Sequence, residues 1–253
     1  MNPPGLFVTF EGTEGSGKST QVALLAERLR SVGHRVRTLR EPGGTPIGEE
    51  IRHTLKHSKN NAAMTPEAEL LLMNASRAQI VREVIRPALA VGEIVLCDRF
   101  YDSTVAYQGY GRGLNLEEVR GVIDFAVGWT RPDLTLLLLV SPEVSRGRLL
   151  ARQATMPFMR DRMEEADHDF FDRVARGYNE IAAAEPERVR PLDATRSVEA
   201  LQAEIYGIVA PMLASAGPTP TRHPEANEAN PDDREMPSGS ARSKRELKVS
   251  PPR

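Results

Sequence analysis

Short apolar runs alternate along the chain with longer segments whose apolar residues recur at helical spacing. Leu6 to Phe10 is apolar almost throughout, as a parallel strand covered on both faces requires. From Ser19 to Arg30, Val22, Leu25, Ala26 and Leu29 fall on one helical face, and Gly33 stands where a C′ residue would end that helix. A second strand, Val36 to Arg40, runs into Glu41-Pro42-Gly43-Gly44, which punctuates it hard. A short helix, Ile47 to Leu55, follows. Thr65 and Pro66 then read as N-cap and first residue of a long helix reaching Val91. Leu71, Leu72, Ala75, Ile80, Val84 and Ile85 are among its apolar positions, and Pro87 should kink it or mark its last turns.

The alternation continues. Glu93 to Cys97 is a third strand, and Asn115 with Glu118 forms a capping-box pattern for a helix to Val127. Leu134 to Val140 is a fourth strand. Ser141-Pro142 opens a helix that passes into an arginine-rich segment, Arg146 to Arg162. A helix over Asp169–Ala184, a strand over Val189–Leu192 and a last helix over Ser197–Leu213 complete the order. Strands alternating with helices predict an α/β protein with a doubly wound parallel five-stranded sheet flanked by helices. From Ala216 onward the chain is rich in Pro and charge and nearly free of large apolar residues. It cannot bury enough surface to offset the entropy of ordering. The expected organisation is therefore one domain over 1–215 and a disordered tail over 216–253.

Composition narrows the picture modestly. A 40% hydrophobic content supports a sizeable core, and a net charge of −2 with pI near 6.3 gives no nucleic-acid footprint. The tail's basic cluster, Arg242, Lys244, Arg245 and Lys248, reads as a solvated charge run. The single cysteine, Cys97, excludes an internal disulfide and points to the cytoplasm. The opening MNPPGLFV lacks the basic and apolar regions of a signal peptide, and no apolar run has the length of a membrane span.

The chemistry centres on the loop after the first strand. Gly12, Thr13, Glu14, Gly15, Ser16, Gly17, Lys18, Ser19 and Thr20 fit the pattern G-x-x-x-x-G-K-[ST], between a strand and a helix. Glycines let backbone N–H groups close around phosphate oxygens, and the helix N-terminus adds partial positive charge. Lys18 can reach the outer phosphates and the Ser19 hydroxyl can ligate Mg²⁺, so the loop is a nucleoside triphosphate site. Asp98 and Arg99 follow the third strand, at the sheet edge where open α/β folds bind ligands. They supply a carboxylate for metal or water and a cation for a migrating phosphoryl group.

EGTEGSGKST, REPGGT and DRFYDSTVAYQGYGRG, in this order and spacing, resemble the thymidylate kinase family. RPDLTLLLLVSPE, DRMEEADHDFF and LDAT extend the resemblance across Leu6 to Leu213. It implies transfer of the γ-phosphoryl group of ATP to dTMP with Mg²⁺, by a homodimer. It further implies that Glu14 lies near the deoxyribose 3′-hydroxyl and acceptor phosphate, and that Arg52 and Arg99 hold that phosphate. Pro42 would pack beside the base, Arg77 would bond its carbonyl, and Thr104 would face the ring. Tyr107 would stack under the sugar and crowd out a ribose 2′-hydroxyl, with Ser103 and Gln108 in the pocket wall. The family has two forms, one with an arginine in the P-loop and one with the catalytic arginine on a mobile lid. Gly15 occupies the P-loop position here, so the resemblance assigns the role to the lid at 146–162. Arg148, Arg152 and Arg162 are the candidates, with Arg152 first and Arg162 beside it.

Three positions depart from the family pattern. Met73 stands where a phenylalanine usually stacks on the base, Leu139 where an aspartate is common, and Gln153 to Met159 lengthens the lid. Met73 motivates an alternative, a related kinase with altered base choice. A P-loop switch protein is a third reading; the absence of an Asn-Lys-x-Asp element and the arginine-rich lid speak against it.

Overall fold

Strands β1 (Phe7–Glu11), β2 (Val36–Arg40), β3 (Ile94–Asp98), β4 (Leu134–Leu139) and β5 (Val189–Asp193) form one sheet in the order β2-β3-β1-β4-β5. Every pairing in it is parallel. The computed structural model describes residues 5–155 and 167–214, with the side chains of 142, 152–155 and 214 left aside. The expected tail thus lies outside the described residues. Within them, each strand expected from the apolar pattern is present, with ends shifted by at most a residue or so.

The helices are α1 (Lys18–Ser31), α2 (Pro46–Lys56), α3 (Pro66–Ile80), α4 (Arg86–Ala90), α5 (Tyr101–Thr104), α6 (Leu116–Val127), α7 (Pro142–Thr155), α8 (His168–Ala184) and α9 (Val198–Ala214). Their ends reflect local chemistry. Thr65 Oγ1 accepts from the Ala68 amide, Asn115 Oδ1 from the Glu117 and Glu118 amides, and Asp167 Oδ1 from the Phe170 amide. Gly33, at φ +92°, closes α1: its amide reaches Arg30 O and that of His34 reaches Leu29 O.

Strand alternation divides the core into two layers. Phe7, Val95, Cys97, Leu137 and Val189 pack under α3, α6 and α8, whereas Val8, Phe10, Leu96, Leu136 and Leu138 pack under α1 and α9. All these strand residues are at most 1% exposed, which explains why the central strands read as continuous apolar runs.

Two departures from the sequence expectation matter. The single helix expected from Thr65 to Val91 is divided by a π-helical turn, Val81–Ile85, between α3 and α4. Pro87 has no N–H, and its ring crowds the carbonyl four residues earlier; the wider turn just before it accommodates both effects. Tyr101–Gly111, expected only as a motif, is helical: α5 continues into a π-helical turn, Val105–Gly111. Its β-branched, aromatic and glycine residues carry no helical apolar period. The turn packs extensively on α8, which gives it the stability its composition lacks.

Candidate active site

The loop between β1 and α1 is shaped by close contact. Gly12 has φ +134°, and a Cβ there would lie 2.3 Å from Leu138 O at the end of β4. Only glycine fits. Lys18 folds back over the loop, its Nζ donating to Gly12 O at 3.0 Å, Thr13 O at 2.7 Å and Ser16 Oγ at 3.2 Å. Burial, and then the nearby Arg99 guanidinium, lower its pKa to about 8. Glu14 to Thr20 border a cleft of about 1920 Å³, counting its open mouth, together with Asp98, Arg99, Arg148, Ala194 and Arg196.

Ser19 Oγ, at the start of α1, donates to Asp98 Oδ2 at 2.5 Å, at the end of β3. Two hard oxygens from the protein, beside a phosphate-binding loop, suit Mg²⁺, which keeps most of its shell for water and phosphate. When bound, the ion would neutralise charge developing on the phosphoryl oxygens.

A smaller cavity of about 410 Å³ opens beside the first. Nine of the ten residues expected to hold the acceptor border it: Glu14, Pro42, Met73, Arg77, Arg99, Ser103, Thr104, Tyr107 and Gln108. The tenth, Arg52, borders the larger cleft and donates to Pro42 O at 2.9 Å. Glu14, Glu41, Lys56 and Arg99 border both spaces and so mark the seam between them.

Arg99 is the hub of that seam. Its Nη1 donates to Gly12 O at 2.9 Å, Ser103 Oγ at 3.0 Å and Tyr178 Oη at 3.3 Å. Its Nη2 pairs with Glu14 Oε1 at 2.8 Å, and Tyr107 Oη donates to Glu14 Oε2 at 2.5 Å. Burial pushes the Glu14 carboxyl up, but Arg99, Lys18 and the Tyr107 hydroxyl together hold it below the usual range. The same burial pushes the phenol of Tyr107 well up, so it remains a donor.

Deeper in the smaller cavity, Arg77 is only 2% exposed. Its Nε donates to Glu41 Oε2 at 2.8 Å, Nη1 to Asn74 Oδ1 and Thr104 Oγ1 at 2.9 Å each, and Nη2 to Phe100 O at 3.2 Å. Four of its five N–H donors are thereby used, leaving one on Nη2. Gln108 Nε2 donates to Glu69 Oε1 at 2.7 Å, which fixes the amide where it borders the cavity. Glu41 is held by Arg77, yet burial raises its carboxyl to about 7.

Helix α7 closes over the P-loop from the other side. Ser145 Oγ donates to Glu14 O at 2.7 Å, and Arg148 donates to Gly15 O at 3.1 Å and Ala194 O at 3.0 Å. The side chain of Arg152, in α7, and all of Arg162 lie outside the described residues. Glu11, Glu41, Lys56 and Tyr178 belong to the site without having been assigned to it from sequence, whereas Arg148, one of the three expected lid arginines, lies at the P-loop. Glu11 and Glu41 stand inside the motifs themselves, whereas Tyr178 comes from a helix far along the chain and carries no local signal.

A P-loop cleft and a smaller pocket that share a seam of two carboxylates and two cations suit a P-loop nucleoside monophosphate kinase. Residues 10–205 match the family model for thymidylate kinase. The thymidylate kinase of Synechococcus sp. (strain JA-3-3Ab) is 49% identical over 215 residues, 85% of this chain and 100% of that protein. That of Deinococcus radiodurans is 48% identical over 205 residues, covering 81% of this chain and 96% of its own. The crystal structure of the Ehrlichia chaffeensis thymidylate kinase superposes with a TM-score of 0.65 at 31% identity, covering 82% of this chain and 99% of that one. The chain belongs to the thymidylate kinase family; it is a nucleotide kinase, a phosphotransferase. Among the described residues no helix is long and apolar enough to cross a membrane.

Proposed function

We propose that the enzyme transfers the γ-phosphoryl group of ATP to dTMP, giving dTDP for dTTP synthesis, and that an arginine of the lid stabilises the transfer. The seam carries this reading: Arg99 and Glu14 border both cavities, where a phosphoryl group passing between two nucleotides must cross. ATP would lie along Gly12–Thr20, and Ser19 and Asp98 would hold Mg²⁺ beside its phosphates. The dTMP phosphate faces Arg99 and Arg52, its 3′-hydroxyl faces Glu14, and its sugar rests on Tyr107. The base lies among Pro42, Met73, Arg77, Thr104 and Gln108, with Ser103 below. An acceptor phosphate oxygen is already a nucleophile, so no strong base is required; charge stabilisation by Lys18, Arg99, Arg152 and Arg162 does the catalysis.

Crowding at the P-loop supports the lid. A Cβ at Gly15, where φ is +70°, would lie 2.9 Å from Ser145 O and 3.2 Å from Arg148 Cβ. With α7 so close, a P-loop arginine at this position has no room, and the cation is better drawn from α7 and the rest of the 146–162 segment. Arg152 comes four residues after Arg148 in α7.

We also infer a cytoplasmic homodimer with a kinase domain over 1–215 and a tail over 216–253. Leu71 on α3, Phe125 on α6 and Trp129 just after it are large apolar residues at 58%, 85% and 72% exposure, and α3 and α6 pack on each other, which supports a dimer face on these helices.

The test is an ADP-release assay with ATP, Mg²⁺ and dTMP, dUMP, dCMP or dGMP, run beside Arg152→Ala. We expect dTMP to be preferred and the variant to lose about 10³-fold in kcat while still binding dTMP. Preference for another monophosphate would overturn the substrate reading. Full activity in the variant would move the role to another lid arginine.

A further inference from the structure

Glu11 is the last residue of β1 and is fully buried, yet the proposed phosphoryl transfer makes no use of it. Alternation along β1 directs Phe7, Thr9 and Glu11 to the same side of the sheet, toward α5 and α8. There the carboxylate takes three donors. Oε1 accepts from the Phe100 amide at 2.7 Å; Oε2 accepts from Ser103 Oγ at 2.5 Å and from Tyr178 Oη at 3.0 Å. The same two hydroxyl oxygens accept from Arg99 Nη1. Two relays thus run from one carboxylate to one guanidinium. The third bond grips the residue after Arg99, whose own φ of +72° is unusual for anything but glycine. A backbone held there persists only where its surroundings over-determine it.

We propose that Glu11 is the positioning residue for Arg99, fixing its backbone through the Phe100 amide and its guanidinium through the Ser103 and Tyr178 hydroxyls. The requirement is for the carboxylate form. A protonated Glu11 must donate from one oxygen, which turns a hydroxyl relay around and releases that end of Arg99. Burial, followed by the charge of Asp102, raises this carboxyl to about 7, against the opposing pull of Arg99, Ser103 and the Phe100 amide. Asp102 itself is held by Arg188 through bonds of 2.7 and 2.8 Å. Lys18, Cys97 and Tyr178 are the other titratable groups that feel Glu11.

The linkage has a definite sign. In the folded chain Glu11 holds its proton up to about 7, against 4.5 for the ordinary carboxyl. Its contribution to stability is therefore complete below the lower value and lost as pH rises through the window between them. Glu11→Gln removes that loss, so between pH 5.5 and 8.5 the variant should lose less Tm than the wild type does, while binding dTMP less well at the alkaline end. A residue that served only to hold the fold together would lower Tm without a pH-dependent loss of dTMP binding.

The test measures kcat/KM for dTMP and for ATP, and Tm, from pH 5.5 to 8.5 for wild type, Glu11→Gln and Tyr178→Phe. At the alkaline end Glu11→Gln should lose about tenfold or more in kcat/KM for dTMP, the worth of a hydrogen-bonded charge, with KM for ATP unchanged. The wild-type to variant ratio should shrink toward one as pH falls through 7, the value to which Glu11 is raised. The phosphate of dTMP adds its own ionisation near ~6, common to every variant, so the ratio isolates Glu11. Tyr178→Phe removes one donor from the carboxylate and should move the acid limb to higher pH, which keeps the inference testable should Glu11→Gln not fold. A ratio that stays constant with pH, or an unmoved limb in Tyr178→Phe, would overturn it. The inference rests on Arg99 holding the acceptor phosphate, and dTMP binding by Arg99→Lys checks that alone: unweakened binding would sink the Arg99 reading and the Glu11 inference with it, whereas weakened binding beside a pH-independent Glu11→Gln ratio would sink the Glu11 inference only.

Discussion

The two halves of the active site are built on different principles. The proposed triphosphate side is a contiguous loop, Gly12 to Thr20, whose own carbonyls hold its one lysine. The acceptor side gathers side chains from the ends of three strands and from α3, the turn after α5 and α8, and these side chains satisfy one another. Arg77 is used by Glu41, Asn74, Thr104 and Phe100; Arg99 by Gly12, Glu14, Ser103 and Tyr178. A loop of backbone donors recognises any phosphate chain. A pre-paired set of buried side chains fixes a single ligand shape, because each polar group has few directions left to offer. Losing a residue on the first side should therefore cost chemistry, and on the second should cost fold and recognition together.

Lys18→Met gives the largest effect. Its hydrogen-bond partners are two carbonyls and a hydroxyl of its own loop, and Glu14, which feels its charge, keeps its ion pair with Arg99 when Lys18 is removed. The expected loss in kcat is about 10³-fold, the scale of a transition-state charge stabiliser, with Tm nearly unchanged. A fall in Tm comparable to that of an acceptor-side variant would erase the distinction between the halves.

Arg77→Met should behave in the opposite way. Glu41 and Arg77 are each 2% exposed as side chains, and the variant leaves the Glu41 carboxyl buried without its cation, to be held as a stranded charge or neutralised by a proton as its pKa rises further. We expect a stability loss of about 3–5 kcal/mol in denaturant melts, the cost of breaking a buried pair from one end, together with weakened dTMP binding. Arg77→Met with Glu41→Gln should regain much of the stability but not the binding, since only the stranded charge has been relieved. Recovery of neither would mean that Asn74, Thr104 and the Phe100 carbonyl, not Glu41, carry the coupling.

The same contrast decides what could be read from sequence. The P-loop was legible because its function resides in consecutive residues with a fixed spacing. The five strands were legible from apolar runs such as Leu134–Leu138, whose meaning does not depend on distant partners, whereas their order in the sheet, set by pairings between remote segments, was not. The acceptor residues were legible only as a family resemblance, since Glu14 and Tyr107 meet across 93 positions of sequence. Tyr178 was not legible at all: one tyrosine on an amphipathic helix looks like core until its hydroxyl is found between Arg99 and Glu11. The helical course of Tyr101–Gly111 was hidden for a related reason, its stability coming from packing on α8, not from its own residues.

Met73 provides the finest test of the contrast, with the smallest expected effect. It is 9% exposed and borders the acceptor cavity, at the position where the family resemblance leads one to expect phenylalanine. If the acceptor side fixes shape through pre-paired polar groups, the apolar wall should adjust affinity and leave the choice of base to Arg77 and Gln108. A thioether against a ring contributes about 0.3–1.5 kcal/mol, nearly what an aromatic pair does, so the two residues are close to interchangeable. Met73→Phe should therefore change KM for dTMP by less than about tenfold, with kcat and the dTMP-to-dUMP preference unaltered. Paired KM measurements on the two monophosphates check this. A large change in their ratio would show that the wall, and not the polar network, selects the base, and the division of labour drawn between them would have to be redrawn.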